Sequence, residues 1–140
     1  MTSTQKMQNP ITLLEQLSIE GPVDMFNQLK FRPQARYPQE LAQPACTGEQ
    51  AFQRYAELLQ PVLPTIGGSI KIWLGRVHAE LTPGNGESWD VMAVFRFPSV
   101  DALIQLFSNP DFHAVHVHRE AAVANSRTFV CSSVPDSSRP

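Results

Sequence analysis

Nowhere along the 140 residues does the chain gather lysines and arginines into a cluster, and its formal net charge is -2. With an isoelectric point near 6.0, it lacks the basic stripe of a nucleic-acid binder. It also lacks the polybasic patch that an anionic membrane attracts. No hydrophobic run approaches the length of a membrane span. The stretch from Met1 to Pro10 is polar and has none of the apolar core that a secretory signal carries. The two cysteines, Cys46 and Cys131, stand far apart and form neither a metal nor a redox spacing. Both read as plain thiols, and the cytoplasm is the expected compartment. There is no glycine-rich phosphate loop, no Gly-x-Ser-x-Gly nucleophile turn and no paired-cysteine metal site, so no cofactor is expected.

What is present is ordinary for a globular protein. A hydrophobic share of 42% against a charged share of 17% sits well away from the compositions that stay disordered. The length suits one core. Residues 1–21 read as a polar tail and one short helix from Pro10, with Ile11, Leu14 and Leu17 on one side and Gly21-Pro22 closing it. The domain proper spans 22–134, and 135–140 reads as a disordered tail.

Residues 23–32 alternate like a strand. Val23, Met25, Leu29 and Phe31 share one face, with Asp24, Gln28 and Lys30 on the other. A long, proline-bearing loop occupies 33–47, a length that points to mobility or function. From Gly48 the period becomes helical through Leu63, ended by Gly67-Gly68, with a kink or early stop expected at Pro61. Residues 69–81 and 89–97 are predicted strands, joined through the turn-rich Pro83-Gly84-Asn85-Gly86 as an antiparallel hairpin. Ser99 caps a short helix through Phe107, Asn109-Pro110 opens another to about Ala124, and 126–134 form the last strand.

The order β-α-β-β-α-β predicts an α+β, ferredoxin-like fold: an antiparallel four-stranded sheet with helices on one face, plus a short extra N-terminal helix. The strand at 89–97 is apolar on both sides, with Met92 and Val94 opposite the row from Trp89 to Phe97. Helices cover one of those sides. The other calls for a second copy of the chain, two-fold pairing being the commonest symmetry of oligomers.

Three segments, in order, resemble a bacterial family labelled a domain of unknown function within the dimeric α+β barrel superfamily. They are residues 25–32 (Met-Phe-Asn-Gln-Leu-Lys-Phe-Arg); Gly75-Arg76-Val77 with Trp89-Asp90; and Pro110-Asp111-Phe112 leading to residues 118–122 (His-Arg-Glu-Ala-Ala) and Asn125-Ser126-Arg127. The resemblance spans residues 22–131. It implies a homodimer whose two sheets form a barrel with a pocket on each side. Relatives in that superfamily include cofactor-free monooxygenases, small-molecule isomerases and dehalogenases, and haem-handling enzymes. Asn125 stands where the family pattern has an acid, and Gln28 where it has an apolar residue.

Candidate chemistry is sparse. His113 and His116 share a helix face, but His118 turns away from it, so one helix cannot offer all three to one metal ion, and no metal is expected. The resemblance falls on His118 and Arg119. They become the candidate catalytic pair, a proton carrier beside a group able to grip a carboxylate or enolate-like oxygen. Asn27, polar on an apolar strand row, needs either a structural partner or a ligand. Arg76 and His78 are predicted to project from one face of the second strand near a pocket mouth, and Tyr55 could stack on a flat ligand. The expectation is a cofactor-independent enzyme for a small apolar carbonyl, phenolic or carboxylate compound. The alternative is a non-catalytic binding or structural homodimer.

Overall fold

In a computed structural model, described for residues 9–82 and 84–135, nine strand residues lead directly into the domain. β1 (Val23–Phe31) turns Val23, Asn27, Leu29 and Phe31 inward and leaves the intervening residues half-buried. β2 (Ile70–Arg76), β3 (Val91–Phe97) and β4 (Val123–Cys131) complete a fully antiparallel sheet in the order β2-β3-β1-β4. The long first strand and β3 take the two central places, each paired on both sides.

Three helices lie against one face of this sheet, and a fourth, shorter one packs on them. α1 (Pro10–Glu15) is a single turn and a half, capped by the Asn9 side chain, and packs against α3 (Val100–Ser108) through Leu14. α2 (Gly48–Leu59) opens with a reciprocal capping box between Thr47 and Gln50. Its buried residues Ala51, Phe52, Tyr55 and Leu59 recur at helical spacing. It stops before Pro61, whose ring would clash with the preceding turn, and a 3-10 turn at Leu63–Thr65 carries the chain to β2. α4 (Pro110–Ala122) starts at Asn109, which accepts from the amides of Asp111 and Phe112, and runs without a linker into β4.

Three boundaries differ from the sequence expectation. β2 ends at Arg76 rather than at residue 81, and its register with β3 shifts once, between Lys71 and Trp73. β2 and β3 pair antiparallel as the expected hairpin, and Val77 donates to the Asp90 carbonyl where the connection leaves and rejoins the two strands. β4 runs from 123 to 131 instead of 126 to 134, since α4 ends two residues early and extended pairing with β1 begins at once. The predicted tails fall mostly at residues 1–8 and 136–140, outside the described residues, as does Pro83 of the predicted turn.

Among the described residues, the sheet's other face carries no helix. Across it run rows of paired residues, and the central row reads Trp73, Val94, Phe26 and Phe129 from edge to edge. Trp73 is 52% exposed and Phe129 48%.

Candidate functional site

A cavity lies between the helix-covered side of the sheet and helices α2 and α4. Its core measures about 30 Å³, and its whole void, open mouth included, about 420 Å³. The floor is the row in which Asn27 of β1 sits between Ala93 of β3 and Thr128 of β4. Phe52 and Tyr55 descend from α2, one helical turn apart, and Phe112, His116 and Arg119 from α4, at spacings that share one helix face. Phe95 and Phe107 complete the walls. The aromatic groups pack closely: Phe52 to Tyr55 tilted at 5.8 Å between ring centroids, Tyr55 to His116 edge-on at 6.3 Å, and Phe112 to His116 tilted at 5.1 Å.

Five polar residues break this apolar lining: Asn27, Tyr55, His116, Arg119 and Thr128. Asn27 is 5% exposed, and its Oδ1 accepts from the Thr128 hydroxyl at 3.1 Å. That bond turns the Asn27 amide nitrogen away from β4. Tyr55 is 7% exposed, and burial pushes its hydroxyl up to about 12, against a smaller opposing pull from the Arg119 charge. Burial also lowers the pKa of Arg119, although a guanidinium stays charged near neutral pH. His116 is held below the usual histidine range first by burial and then by Arg119, with Glu120 pulling the other way, so it is neutral at pH 7. Its Nδ1 lies 3.6 Å from Glu120.

Among the described residues, neither the Arg119 guanidinium, the Tyr55 hydroxyl nor the Asn27 amide nitrogen has a hydrogen-bond or ion-pair partner in the protein. Among those residues Arg32 Nε is the one fully enclosed side-chain nitrogen or oxygen left unpaired. The three unpaired groups of the cavity therefore face accessible space.

The residues singled out from sequence divide accordingly. Asn27, Tyr55 and Arg119 meet at the cavity. His118, adjacent to Arg119 in the chain, faces the other way. Its Nδ1 is 2.7 Å from the Tyr37 hydroxyl, which in turn accepts from Arg54 at 3.2 Å. This chain of bonds fastens the 33–47 loop onto α2 and α4. Arg76 clamps the end of β2 to α2 through Glu49 at 2.7 Å. His78 lies beyond the end of the strand and is exposed, so the two do not share a strand face, a consequence of the early exit of β2. His113 turns to the Phe107 carbonyl. Among the described residues, no group of three or more His, Cys, Asp and Glu side chains could hold a metal ion, and no helix is long and apolar enough to cross a membrane.

The sequence weighs His116 only as a metal ligand beside His113 and does not mark it as a cavity residue. The signal was there: residues 112, 116 and 119 continue one helical stripe with Phe112 as its apolar anchor. A polar pair on such a stripe is aimed at the core.

No protein-family model matches the chain, and no curated protein matches its sequence. Solved structures do. A protein of unknown function from Rhodopseudomonas palustris, RPA0582, superposes with a TM-score of 0.81 at 26% identity, over 94% of this chain and 97% of that one. A DABB-family protein with a ferredoxin-like fold from Mesorhizobium loti gives 0.54 at 13% identity, over 83% of this chain and all of its own (100%). A Caulobacter crescentus protein named as a candidate antibiotic biosynthesis monooxygenase gives 0.50 at 18% identity, over 83% and 92%. The chain has the α+β, ferredoxin-like fold that its element order and sheet topology describe, shared over nearly its whole length with a Rhodopseudomonas protein of unknown function.

Proposed function

We propose that the chain is a small-molecule-binding homodimer of the dimeric α+β barrel kind, with one ligand site per protomer between the sheet and helices α2 and α4. One observation carries this reading: three polar groups without protein partners converge on a cavity otherwise walled by aromatic rings. Buried polar groups are nearly always satisfied. Apolar cavities with a few convergent polar groups are the usual form of small-molecule sites. The reading includes membership in the bacterial family that residues 22–131 resemble, and residence in the cytoplasm.

The dimer follows from the uncovered sheet face. Its apolar row of Trp73, Val94, Phe26 and Phe129 is bordered by a row that holds the Arg96–Asp24 pair, bonded at 2.7 and 3.0 Å. On the other side stands a row with Gln28 and Arg127, the latter joined to Glu87. An apolar centre within a polar rim is the anatomy of a protein–protein interface, and an identical face is its simplest complement.

Within the cavity, the enzymatic form of the reading gives His116 the proton. Neutral at pH 7, the imidazole takes it from an acidic C–H or O–H of a small aryl carbonyl or phenol. Arg119 and Tyr55 then hold the resulting oxyanion. The position of His118, 2.7 Å from Tyr37, leaves that role to His116. The non-catalytic form is favoured by the 3.6 Å between His116 and Glu120, beyond hydrogen-bond reach, which leaves the imidazole unoriented.

The test is a screen of aryl ketones, phenols and aryl acids against the 15N-labelled protein by NMR. Binding compounds should shift amides of α4 around His116 and of β1 around Asn27. A screen in which no compound moves them would remove the cavity as the ligand site. With a binder in hand, His116→Ala separates the two forms: an enzyme loses turnover and keeps binding, whereas a binding protein has no turnover to lose.

A further inference from the structure

We infer that the cavity selects a monoanionic aryl carboxylate, gripped at its head by Arg119, Tyr55 and Asn27. This rests on the cavity being the ligand site and goes further by fixing the charge and shape of the occupant.

The first argument is the sign of the hydrogen bonding. The Thr128 hydroxyl occupies the Asn27 oxygen, so that residue offers the cavity N–H donors. Arg119 has donors only, and the buried Tyr55 stays protonated, so it too can donate. A group that only accepts satisfies such a surface, and a carboxylate accepts on both oxygens without carrying a donor of its own. An amide or an ammonium head would bring N–H groups against other N–H groups.

The second argument is charge. Arg119 is the one permanent charge among the lining residues, since His116 is neutral. Glu120, next in the chain, has a side chain 70% exposed and is turned toward the outer edge of His116. A buried charge without a partner is unfavourable until an opposite charge joins it. One cation calls for one negative charge, and the planar fork of a guanidinium matches the planar carboxylate. The enclosed core of about 30 Å³ holds a head of that size. The body of the ligand then lies in the wider mouth against Phe52, Phe95 and Phe107, rings that favour an aromatic partner.

The experiment compares three probes of one shape and different charge: phenylacetate, phenylacetamide and phenethylammonium. Each is titrated into the full chain by NMR and calorimetry, with Arg119→Met and Tyr55→Phe as variants and melting temperature recorded without ligand. Phenylacetate should bind at the cavity about 10-fold or more tighter than the amide, and the ammonium should not bind. Arg119→Met should weaken phenylacetate about 30-fold, while Tyr55→Phe should weaken it about 5-fold. Arg119→Met should also melt higher than the parent when no ligand is present, because an unpaired, half-buried charge has been replaced by an apolar side chain. An arginine with a structural partner would do the reverse, and a lowered melting temperature overturns the inference. Equal binding of acid and amide overturns the charge selection but leaves the cavity as a ligand site. Failure of every probe to move the cavity residues counts against both.

Discussion

Gly48 is where the first turn of α2, the end of β1 and the end of α4 come within backbone contact. Its amide donates to the Arg32 carbonyl at 3.1 Å, and Arg32 itself donates to Ala122 at 2.8 Å. A Cβ at this position would lie 2.7 Å from the Ala122 carbonyl oxygen and closer still to that of Arg32, and neither can swing aside. Gly48→Ala should therefore lower stability by about 2–3 kcal/mol, the range of overpacked cores, as read from urea unfolding. An unchanged midpoint would mean that the helix start can slide. The histidines set the acid response. His116 and His118 both have folded pKa values below the ordinary 6.5, through burial first and a nearby arginine second. Above that value both states are neutral and nothing is at stake. As pH falls through 6.5 the unfolded chain takes up protons that the native one refuses, so stability should decline from about pH 7 toward 5. His118→Gln, which keeps an acceptor for Tyr37, should flatten that decline in melting temperature; an unaltered slope would locate the titration elsewhere. At this scale the sequence was only partly legible. Asn27 betrayed itself as a polar residue on an apolar strand row. Choosing between His116 and His118 required the rotation of α4 about its axis, and that is set by what the helix packs against.

Strand-level reading worked where alternation was strict and failed where the sheet's edge decides. β1 was legible because its odd residues are apolar from Val23 to Phe31, interrupted only by Asn27. β2 read as longer than it is. The bulge between Lys71 and Trp73 breaks its register, and beyond Arg76 the Val77–Asp90 bond continues the ladder by one step before the pairing ends. Neither leaves a mark in local propensity. The 33–47 loop was legible as long, but its attachment was not. Arg54 donates to the Tyr37 hydroxyl, which donates to His118, linking residues 81 positions apart. Tyr37→Phe should leave His118 without its partner and lower stability by about 1–2 kcal/mol. Amide exchange should then rise selectively across 33–47. Uniformly faster exchange would instead mean that the tyrosine supports the whole fold rather than holding the loop.

For the molecule as a whole, the decisive feature is an asymmetry between the two sheet faces. One is sealed by α2 and α4, and its polar exceptions gather at the cavity. The other is apolar along its centre and uncovered, with Trp73 and Phe129 about half exposed at the two ends of the row that Val94 and Phe26 complete. Exposed singly, such residues are unremarked on any surface. Aligned across all four strands they form a continuous band, and a band of this kind marks an interaction site. The same band explains why β3 reads as apolar on both sides in the sequence: one side serves the protomer's core and the other lies in the uncovered band. Pairing two such faces would also rigidify the sheet floor on which Asn27 and Thr128 stand. The expected state is a dimer by light scattering at micromolar concentration. Val94→Glu, at the middle of the band, should give a folded monomer with an unchanged circular dichroism spectrum, because it places a charge where only apolar groups meet. A wild-type monomer would remove the interface, and a Val94→Glu dimer would move it to another surface. If the monomeric variant also binds aryl acids more weakly, the cavity depends on the dimer for its shape; if affinity is kept, each protomer holds a complete site.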